Sequence, residues 1–441
     1  MTMPEPIPPP APVPSGKIPR VATASAVLSD GSLVEMLFDP VESRTRFCIM
    51  KDGNVRMADS VSDRGQRLVP YSPQNNLLSH EVVLFPSKPG DYGSDHELLA
   101  EIQAFIHEYV DVSPLFEKVA SYYILFTWVH DCFNELPYLR VRGDTGSGKT
   151  RCLLTVGSLC YKPIFASGAS TVSPLFRILD SFRGTLIVDE GDFRFSDEKA
   201  DIVKILNNGN ARGFPVLRSE SVSGKEFDPR AYSVFGPKMI ATRSHFEDRA
   251  LETRCITEET SGRKMREDIP LNLGDEWKVR GRELRNKLLT FRFRNYGKRE
   301  IDQNAADRTI EPRIAQLFLP LMSVIADEPA REELRQLAKA YNNELIVDRS
   351  TDIEASVLEI IREVLAKTSD GRAPIKEITR LFGVRHADEY DRRVTPKWIG
   401  GIVRKNLQLK TEKSNGVFVL VAGQRPKLER LWQLFGIETL E

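Results

Sequence analysis

A glycine-rich segment at residues 143–150 constrains the fold of this 441-residue chain more than any other feature. Its sequence, GDTGSGKT, matches the pattern G-x-x-x-x-G-K-[ST] at every fixed position. A short strand-like run, 136–142, leads into it, and a helix-like run, 151–160, leaves it. Strand, glycine loop and helix in this order are the context in which the pattern is a phosphate-binding loop.

The residue types of the loop fit that chemistry. Glycines let backbone N–H groups curl around a phosphate, and the positive N-terminal end of the following helix faces the same anion. Lys149 can reach the β- and γ-phosphates as a point charge, and the Thr150 hydroxyl can ligate Mg²⁺. We therefore expect ATP and Mg²⁺ as cofactors. The nucleotide-binding residues predicted from the loop are Gly143, Asp144, Thr145, Gly146, Ser147, Gly148, Lys149 and Thr150.

A second part of the site follows about forty residues later. The apolar run 184–188 is typical of a buried strand, and it ends in Asp189 and Glu190. An apolar strand that delivers two carboxylates at its C-terminal end supplies what a metal ion and an attacking water need. We expect Asp189 to hold Mg²⁺, directly or through water, and Glu190 to orient the water.

Composition limits the other classes of function. The chain has 62 basic and 62 acidic residues, so any nucleic-acid partner has to be argued from local patches. Its five cysteines form no C-x-x-C pair and do not group with the six histidines, which predicts reduced thiols, no structural zinc and a cytoplasmic location. No apolar run approaches the length of a membrane span, so no membrane partner is expected.

Periodicity and turn signals divide the chain into six segments. Strand-like runs at 34–38, 46–50 and 80–85 make the N-terminal module β-rich, and its role as a collar, a substrate grip or a brace stays open. Alternating strands and helices after residue 136 predict a parallel α/β sheet with strands near 137–142, 163–168, 184–189 and 237–242. The segments are a disordered proline-rich tail (1–16), the β-rich module (17–94), a helical bracing segment (95–135), an ATPase core (136–265), a helical lid (266–350) and a winged-helix domain (351–441).

Beyond the acidic pair, the strand-like run 235–243 ends in polar residues and is followed by ALETRC at 250–255. This arrangement resembles the AAA+ superfamily, in which such a strand ends in a polar sensor and a following arginine reaches a neighbouring subunit's γ-phosphate. The resemblance implies Thr242 or Arg243 at the sensor position, where members usually carry asparagine, and Arg254 as the arginine finger, with Arg249 as a rival. It also implies a homo-oligomeric ring, expected to be a hexamer, and makes Arg313 a candidate second sensor.

Two strand-like runs, 214–220 and 231–235, flank a Ser-Gly-Lys tip before the predicted sensor strand, 235–243. This inserted hairpin resembles that of superfamily 3 helicases and the minichromosome-maintenance family, where it projects into the ring's pore. The resemblance implies that Lys225 at the tip, flanked by Arg218 or Arg230, holds single-stranded or forked DNA. An ordinary surface hairpin is the alternative, since lysine is common at hairpin tips.

The C-terminal region predicts three helices followed by a hairpin around Asn415 and Gly416, which is the order of a winged helix. Across 374–427, twelve basic residues outnumber five acidic ones, a local excess of seven positive charges in a neutral chain. Phosphate contacts to duplex DNA are expected there, and protein contacts are the alternative. The candidate residues are Lys397, Arg404 and Lys405 on the third helix, and Lys410 and Lys413 on the hairpin.

These features favour an ATP-dependent DNA translocase or helicase that acts as a ring and serves replication in a phage or mobile element. Two other functions stay open. One is a DNA-bound loader or initiator that hydrolyses ATP without unwinding, and the other is a nucleotide-switched DNA-binding regulator. The sequence leaves the polarity of translocation, the number of subunits and the specificity for an origin undetermined.

Overall fold

The structure is a computed structural model that describes residues 18–168, 170–189, 197–222, 226–246, 248–260, 265–298, 300–324, 328–350, 353–368, 371–386, 394–414 and 416–438. The predicted proline-rich tail, Glu190 and Lys225 lie outside these ranges. Contacts divide the chain into two compact units. The first, Met1–Ala306 with Gln316–Arg331, is the core unit, and the second, Asp307–Ala315 with Glu332–Glu441, is the C-terminal unit.

Seven short strands open the core unit and form two small sheets, with strand orders β1-β7-β6 and β2-β3-β4-β5. The predicted strands at 34–38 and 46–50 lie within β3 and β4, which pair antiparallel. A turn at Asp52 and Gly53, both with positive φ, joins β4 to β5, as expected for the tight turn of a hairpin. The strands are β1 (Arg20–Ala22), β2 (Ser25–Val27), β3 (Leu33–Asp39), β4 (Arg44–Lys51), β5 (Asn54–Ala58), β6 (Val61–Asp63) and β7 (Gln66–Val69).

The prediction of a strand at 80–85 is wrong, because this segment forms no strand of any sheet. After a short helix, α1 (Asn76–Ser79), this apolar run makes only an isolated antiparallel bridge from Val83 to Ile164. Its backbone accepts a hydrogen bond from Phe165 and donates one to Pro163, so it covers the edge of the central sheet. The run is apolar because it shields an exposed strand edge, and it does not extend the N-terminal sheets.

Two helices precede the central sheet, α2 (Asp95–Tyr109) and α3 (Pro114–Thr127). Ser94 and Glu97 form a capping box at the start of α2, and Ser113 caps α3 ahead of Pro114. Four aromatic residues at the C-terminal end of the second helix are at most 1% exposed, so they pack in the core and are not available to stack on bases. They are Tyr122, Tyr123, Phe126 and, just past the helix end, Trp128.

Five parallel strands form the central sheet in the order β14-β8-β13-β10-β9. Buried side chains of the N-terminal strands, such as Val34 and Phe47, belong to the same hydrophobic cluster as Ile164, Leu186 and Ile240 of this sheet, so the module and the sheet share one core. The strands are β8 (Tyr138–Arg142), β9 (Ile164–Ser167), β10 (Leu186–Asp189), β13 (Lys238–Thr242) and β14 (Cys255–Glu259), and the helices between them are α4 (Lys149–Leu159), α5 (Val172–Phe182), α6 (Asp197–Asn208) and α7 (Arg249–Glu252).

The hairpin predicted before the sensor strand is present. Strands β11 (Val216–Val222) and β12 (Glu226–Tyr232) pair antiparallel over seven residues, from Val216 opposite Tyr232 to Val222 opposite Glu226. The pair forms a two-stranded ribbon separate from the central sheet. The tip, 223–225, lies outside the described residues.

The helices predicted for 266–350 are α8 (Asp275–Asn295), α9 (Pro312–Met322) and α10 (Glu328–Ser350). Helix α8 belongs to the core unit, whereas the division between the two units runs through α9 and α10. The assignment of this region as a lid stays a prediction. Within the part of the chain that the structure describes, no helix combines the length and apolar character needed to cross a membrane.

The end of the C-terminal unit contains the predicted three helices and hairpin around its own hydrophobic core. Thr395 caps the third helix, Pro396 lies in its first turn, and the last turn widens into a π-helix, Ile402–Asn406. The name winged helix stays a prediction for this region. The elements are α11 (Ile353–Ala366), β15 (Ala373–Pro374), α12 (Ile375–His386), α13 (Pro396–Gly401), β16 (Thr411–Ser414), β17 (Val417–Leu420) and α14 (Arg425–Leu434), and the strand order is β15-β17-β16.

Candidate functional site

The order of the central strands brings the predicted nucleotide residues together. Strand β13 lies between β8, which enters the glycine loop, and β10, which ends in Asp189. Because all three strands are parallel, their carboxyl ends meet at one edge of the sheet. A pocket of about 320 Å³ opens there, within the usual size range of small-molecule sites. Its lining residues are Thr145, Gly146, Gly148, Lys149, Thr150, Arg151, Asp189, Ala241, Thr242 and Arg243.

The loop has the backbone conformation that its glycines predict. Gly146 and Gly148 have φ values of 81° and 86°, in the left-handed region that side chains disfavour. Gly143 donates its backbone N–H to Thr242 of β13 at 3.1 Å, which ties the start of the loop to the sensor strand. The ammonium of Lys149 folds back onto the carbonyls of Gly143 and Asp144 at 2.6 and 2.5 Å. The loop therefore holds a cation and the N-terminal end of α4 at the pocket.

The predicted metal ligands are in direct contact. The Thr150 hydroxyl donates a hydrogen bond to Oδ2 of Asp189 at 2.7 Å. A hydroxyl and a carboxylate are hard oxygen ligands of the kind that Mg²⁺ prefers, and Mg²⁺ usually completes its shell with phosphate oxygens and water. Among the described residues, no group of three or more His, Cys, Asp or Glu side chains could hold a metal ion. The donor set at Thr150 and Asp189 thus fits a nucleotide-bound Mg²⁺ better than a metal held by protein ligands alone.

The sensor strand places two different side chains at the pocket. Thr242 is 1% exposed, and its hydroxyl makes no hydrogen bond with any residue that the structure describes. Arg243, the next residue, is exposed and lines the pocket. A buried hydroxyl without a partner costs free energy, so a polar ligand atom at this position would offset that cost.

Two residues that sequence reasoning missed hold the loop in place. The Ser147 hydroxyl hydrogen-bonds Oγ1 of Thr260 at 2.8 Å, and Thr260 also donates to the carbonyl of Arg142 at 3.0 Å. Arg151, directly after Thr150, donates to the carbonyls of Pro270 and Leu271. Thr260 lies 110 residues beyond the loop, and no spacing rule connects the two, so only the pairing of β14 with β8 reveals this contact.

The candidate arginine fingers lie beyond the end of the sensor strand. Arg254 is half-buried and donates from Nη1 to the side chain of Asn207 on α6. Arg249 is the first residue of α7, and its side chain is not among those described. Arg313, the candidate second sensor, lies on α9 in the C-terminal unit.

A network of charges fixes the segment that carries these arginines. Glu252 of α7 forms an ion pair with the buried Arg140 of β8 and accepts hydrogen bonds from His245 and from the backbone of Phe246. Burial alone would raise the pKa of Glu252, but the hydrogen bonds from His245 and Arg140 hold it well below its usual value. Glu252 therefore stays ionised. Its ion pair with Arg140 and its hydrogen bonds with His245 and Phe246 connect the segment after β13 to β8, the strand that enters the glycine loop.

The arginines expected to flank the hairpin tip lie away from it, in the third of the seven residue pairs counted from the base of the ribbon. Arg218 and Arg230 are directly opposite each other, and each is five positions from the nearest residue of the tip segment 223–225. The Arg218 guanidinium lies 5.3 Å from the ring centroid of Phe176 on α5, and that of Arg230 lies 5.1 Å from the ring of Tyr232. Their contribution to DNA binding stays a prediction.

The basic residues predicted on the C-terminal unit are all exposed. Lys397, Lys405, Lys410 and Lys413 form no ion pair with any residue that the structure describes. Arg404 is also exposed, and it donates to the Thr411 hydroxyl at 3.5 Å. The surface formed by the third helix and the hairpin therefore presents positive charge that is not neutralised locally.

A second cluster of charges, the Glu35 cluster, lies beyond the far end of α4 and was not predicted. Glu35 of β3 accepts hydrogen bonds from Arg292 of α8 at 2.7 Å and from Tyr161 at 2.7 Å, and Lys162 lies 3.5 Å away. Arg292 also forms two hydrogen bonds with Asp131, at 2.9 and 2.7 Å. Two acidic and two basic groups thus join the N-terminal sheet, the segments that follow α3 and α4, and α8.

The pKa values of this cluster reflect both burial and pairing. Burial lowers the pKa of Lys162 to about 8, although the charge of Glu35 acts in the opposite direction. Burial would likewise lower the pKa of Arg292, but the nearby Asp131, Tyr161 and Glu35 hold it well above its ordinary value.

Comparison with known proteins gives a limited result. No protein-family model matches the sequence, and no curated protein matches it. Among solved structures, the chain has weak similarity to the apo C-terminal region of NrS-1, at 12% sequence identity and a TM-score of 0.36 over 88% of this chain and 96% of that chain. A full-length MCM homolog from Methanopyrus kandleri is 10% identical, over 70% of this chain and 75% of that chain, with a TM-score of 0.35. The JCV helicase is 15% identical, over 57% of this chain and 62% of that chain, with a TM-score of 0.26. Likenesses at this level do not establish a family, so the function has to be inferred from the residues of this chain.

Proposed function

We propose that this protein is a P-loop ATPase that uses Mg²⁺. One observation carries the proposal: the hydroxyl of Thr150 meets the carboxylate of Asp189 at 2.7 Å, in a pocket lined by the glycine loop and the sensor strand. Two motifs that are separated by about forty residues in the sequence thus contribute to a single site. An accidental glycine-rich turn would have no reason to meet an acidic strand end in this way.

Each residue then has a role. Lys149 exchanges the carbonyls of Gly143 and Asp144 for phosphate oxygens, and the backbone N–H groups of the loop bind the same phosphates. Thr150 and Asp189 would hold Mg²⁺, and the bound ion would supply positive charge next to the transferred phosphoryl group. Glu190 orients the attacking water, and Thr242 or Arg243 contacts the γ-phosphate end of the nucleotide.

Nucleotide binding and turnover test this site directly. Lys149→Ala should abolish ATP turnover, whereas Glu190→Gln should keep ATP binding and lose hydrolysis. Lys278→Ala is the matched control, because this exposed lysine pairs with Glu81 on the surface. Normal turnover in Lys149→Ala or Glu190→Gln would refute the site assignment.

We further propose that ATP hydrolysis drives translocation on DNA and strand separation, in a replicative protein of a phage or mobile element. The antiparallel ribbon before the sensor strand and the unpaired cations on the C-terminal unit support a DNA partner. None of the five cysteines forms a disulfide, and the proposed location is the cytoplasm, where thiols stay reduced. A forked duplex and a blunt duplex, compared for strand separation with ATP, distinguish a helicase from a loader or a regulator.

Two variants separate the DNA contacts. Lys225→Ala at the hairpin tip should lose unwinding and DNA-stimulated hydrolysis but keep basal ATP turnover. Lys397→Ala combined with Arg404→Ala should weaken duplex binding and reduce the slope of log K against log salt by about 0.9 for each lost phosphate contact. Intact unwinding in Lys225→Ala would contradict the role of the hairpin in unwinding and favour the nucleotide-switched regulator. An unchanged salt slope in Lys397→Ala with Arg404→Ala would indicate that the C-terminal surface binds a protein and not DNA.

The active form is proposed to be a ring, with a hexamer as the expected assembly. Arg254 is the candidate that one subunit supplies to the next, and to do so it has to exchange its hydrogen bond with Asn207 for a phosphate. Mixed rings of Arg254→Ala and Lys149→Ala subunits should regain activity at junctions that pair an intact loop with an intact arginine. A protein that stays monomeric with ATP and DNA and is fully active would exclude the ring.

A further inference from the structure

An exposed aromatic ring lies beside the basic third helix of the C-terminal unit. Phe418, near the tip of the β16–β17 hairpin, is 50% exposed, whereas Leu420 on the same face of β17 is fully buried in the core. The guanidinium of Arg404 lies 5.5 Å from the ring centroid of Phe418. The ring of Phe418 therefore lies just outside the hydrophobic core and is in contact with solvent and with the guanidinium of Arg404.

Three contacts fix the position of Arg404. Besides the ring of Phe418, it contacts the Thr411 hydroxyl, and its guanidinium fills the space that a side chain at Gly400 would occupy. A Cβ at Gly400 would come within 3.0 Å of this group. The π-helical turn Ile402–Asn406, closed by a 3.0 Å hydrogen bond from Leu407 to Ile402, widens the helix where Arg404 projects. π-turns of this kind are frequent at functional sites.

The charge around the ring favours an anionic partner. Lys413 stands directly opposite Phe418 in the hairpin register, so both project from the same face of the sheet. Glu412, the one acidic residue between 396 and 414, is 3.5 Å from Arg372 and is neutralised by it. An apolar ring with a paired cation and further unpaired lysines is the combination that binds single-stranded nucleic acid, where the ring stacks on a base and the cations contact phosphates.

We propose that Phe418 and Arg404 stack on an unpaired base at the junction between single-stranded and duplex DNA. Within a duplex, the faces of all internal bases are already covered by their neighbours, so a protruding ring finds no stacking partner there. An unpaired base next to a duplex end offers a free face, and the flanking phosphates lie within reach of Lys413 and the third helix. This inference rests on the proposed function, because it specifies which DNA structure the C-terminal surface recognises.

Binding of the full-length protein to a tailed duplex and to a blunt duplex of equal length tests the proposal. Phe418→Ala should weaken binding to the tailed duplex about tenfold and leave binding to the blunt duplex unchanged. Phe418→Trp should retain tailed-duplex binding, whereas Phe418→Leu should lose it, since leucine keeps the apolar surface but cannot stack. With 2-aminopurine as the first unpaired base, the wild type and Phe418→Trp should change its fluorescence and Phe418→Leu should not.

Val417→Ala is the matched control, because Val417 is 37% exposed and projects from the opposite face of the same strand. It should bind both DNA forms like the wild type. Full binding by Phe418→Leu, or equal losses on tailed and blunt DNA in Phe418→Ala, would overturn the stacking proposal while leaving the DNA partner intact. A wild-type protein that binds neither DNA form would instead refute the proposed function itself.

Discussion

The nucleotide pocket and the Glu35 cluster both collect charged groups around α4, but they treat those charges in opposite ways. In the pocket, the ammonium of Lys149 donates to two backbone carbonyls, and Thr150 and Asp189 are open to solvent on one side. In the Glu35 cluster, Arg292 and Glu35 are 2% exposed, and each forms several charged or polar contacts. The first arrangement allows a ligand to replace the internal partners, whereas the second leaves no position for one.

The difference teaches what each group of charges contributes. Replaceable partners make binding possible at small cost, because the lysine exchanges one set of oxygens for another. Saturated, buried partners contribute to the specificity of the fold, because any arrangement that separates them leaves a charge in a medium of low dielectric constant. The Glu35 cluster is therefore expected to brace the N-terminal sheet against the rest of the core unit, and the collar and substrate-grip roles of that module stay open.

The largest effect is expected from breaking the brace. Arg292→Met leaves the buried Glu35 and the half-buried Asp131 without their main partner and should lower the free energy of unfolding by about 3–5 kcal/mol. Lys287→Met, on the same helix, breaks an exposed ion pair with Glu101 and should cost less than about 1 kcal/mol. Urea unfolding of both variants measures the difference, and equal losses would show that the Glu35 cluster is no more than a surface contact.

The pocket should show the opposite behaviour, with stability that depends on its ligand. Mg²⁺ and a non-hydrolysable ATP analogue at one hundred times the dissociation constant should stabilise the wild type by about 2.7 kcal/mol. Lys149→Ala should have nearly the stability of the ligand-free wild type, because the substitution removes two hydrogen bonds to loop carbonyls. It should gain little from the analogue, because no ammonium remains to bind the phosphates. Thermal unfolding with and without the analogue measures both quantities. Equal stabilisation of the variant would mean that the lysine does not contact the phosphates.

Lys238 extends the comparison between the pocket and the Glu35 cluster to a third kind of site. It is fully buried, and within the described part of the chain its ammonium contacts carbonyls and no carboxylate. Its ammonium donates to the carbonyls of Val234 and Gly236 at 2.9 and 2.8 Å, and burial lowers its pKa to about 7. Between this value and about 10.4, the unfolded chain carries a proton that the folded protein has released, so stability should rise with pH.

The slope should be about 1 kcal/mol per pH unit above pH 7, and below pH 7 the penalty should be constant because both states are protonated. Lys238→Met removes the titrating group and should flatten this slope, whatever its effect on absolute stability. Urea unfolding between pH 7 and 9 provides the test. A wild type and variant with parallel pH profiles would mean that the lysine is charged in the folded protein throughout this range.

The smallest effect is expected at the tie between the loop and β14. Thr260→Val keeps the shape of the side chain and removes the hydrogen bonds to Ser147 and to the Arg142 carbonyl. It should lower stability by about 1 kcal/mol and weaken nucleotide binding a few-fold, because the loop is less well held before the ligand arrives. Calorimetric titration with Mg²⁺ and ATP gives the affinity, and an unchanged value would show that the loop is held by its glycine conformation alone.

The sequence by itself determined the parts of this protein that depend on local rules. The loop 143–150, the strand ending in Asp189, the ribbon before the sensor strand and the helical cap at Thr395 are each encoded in a few neighbouring residues. Their signals are short because the chemistry is local: a glycine that must adopt positive φ, an apolar strand that ends in a carboxylate, or a threonine that caps a helix. The apolar run at 80–85 misled because its pattern could not tell a paired strand from a segment that covers a sheet edge.

Only the tertiary structure decided which distant residues meet. Glu35 and Arg292 are 257 positions apart, and Thr260 reaches the loop only because β14 pairs with β8. The order of the strands, which places β13 between β8 and β10, is what puts Thr242 and Arg243 beside Lys149. No local pattern encodes these contacts, because each depends on the packing of whole elements. A charged residue in the sequence looks the same whether folding exposes it to solvent or buries it against a partner.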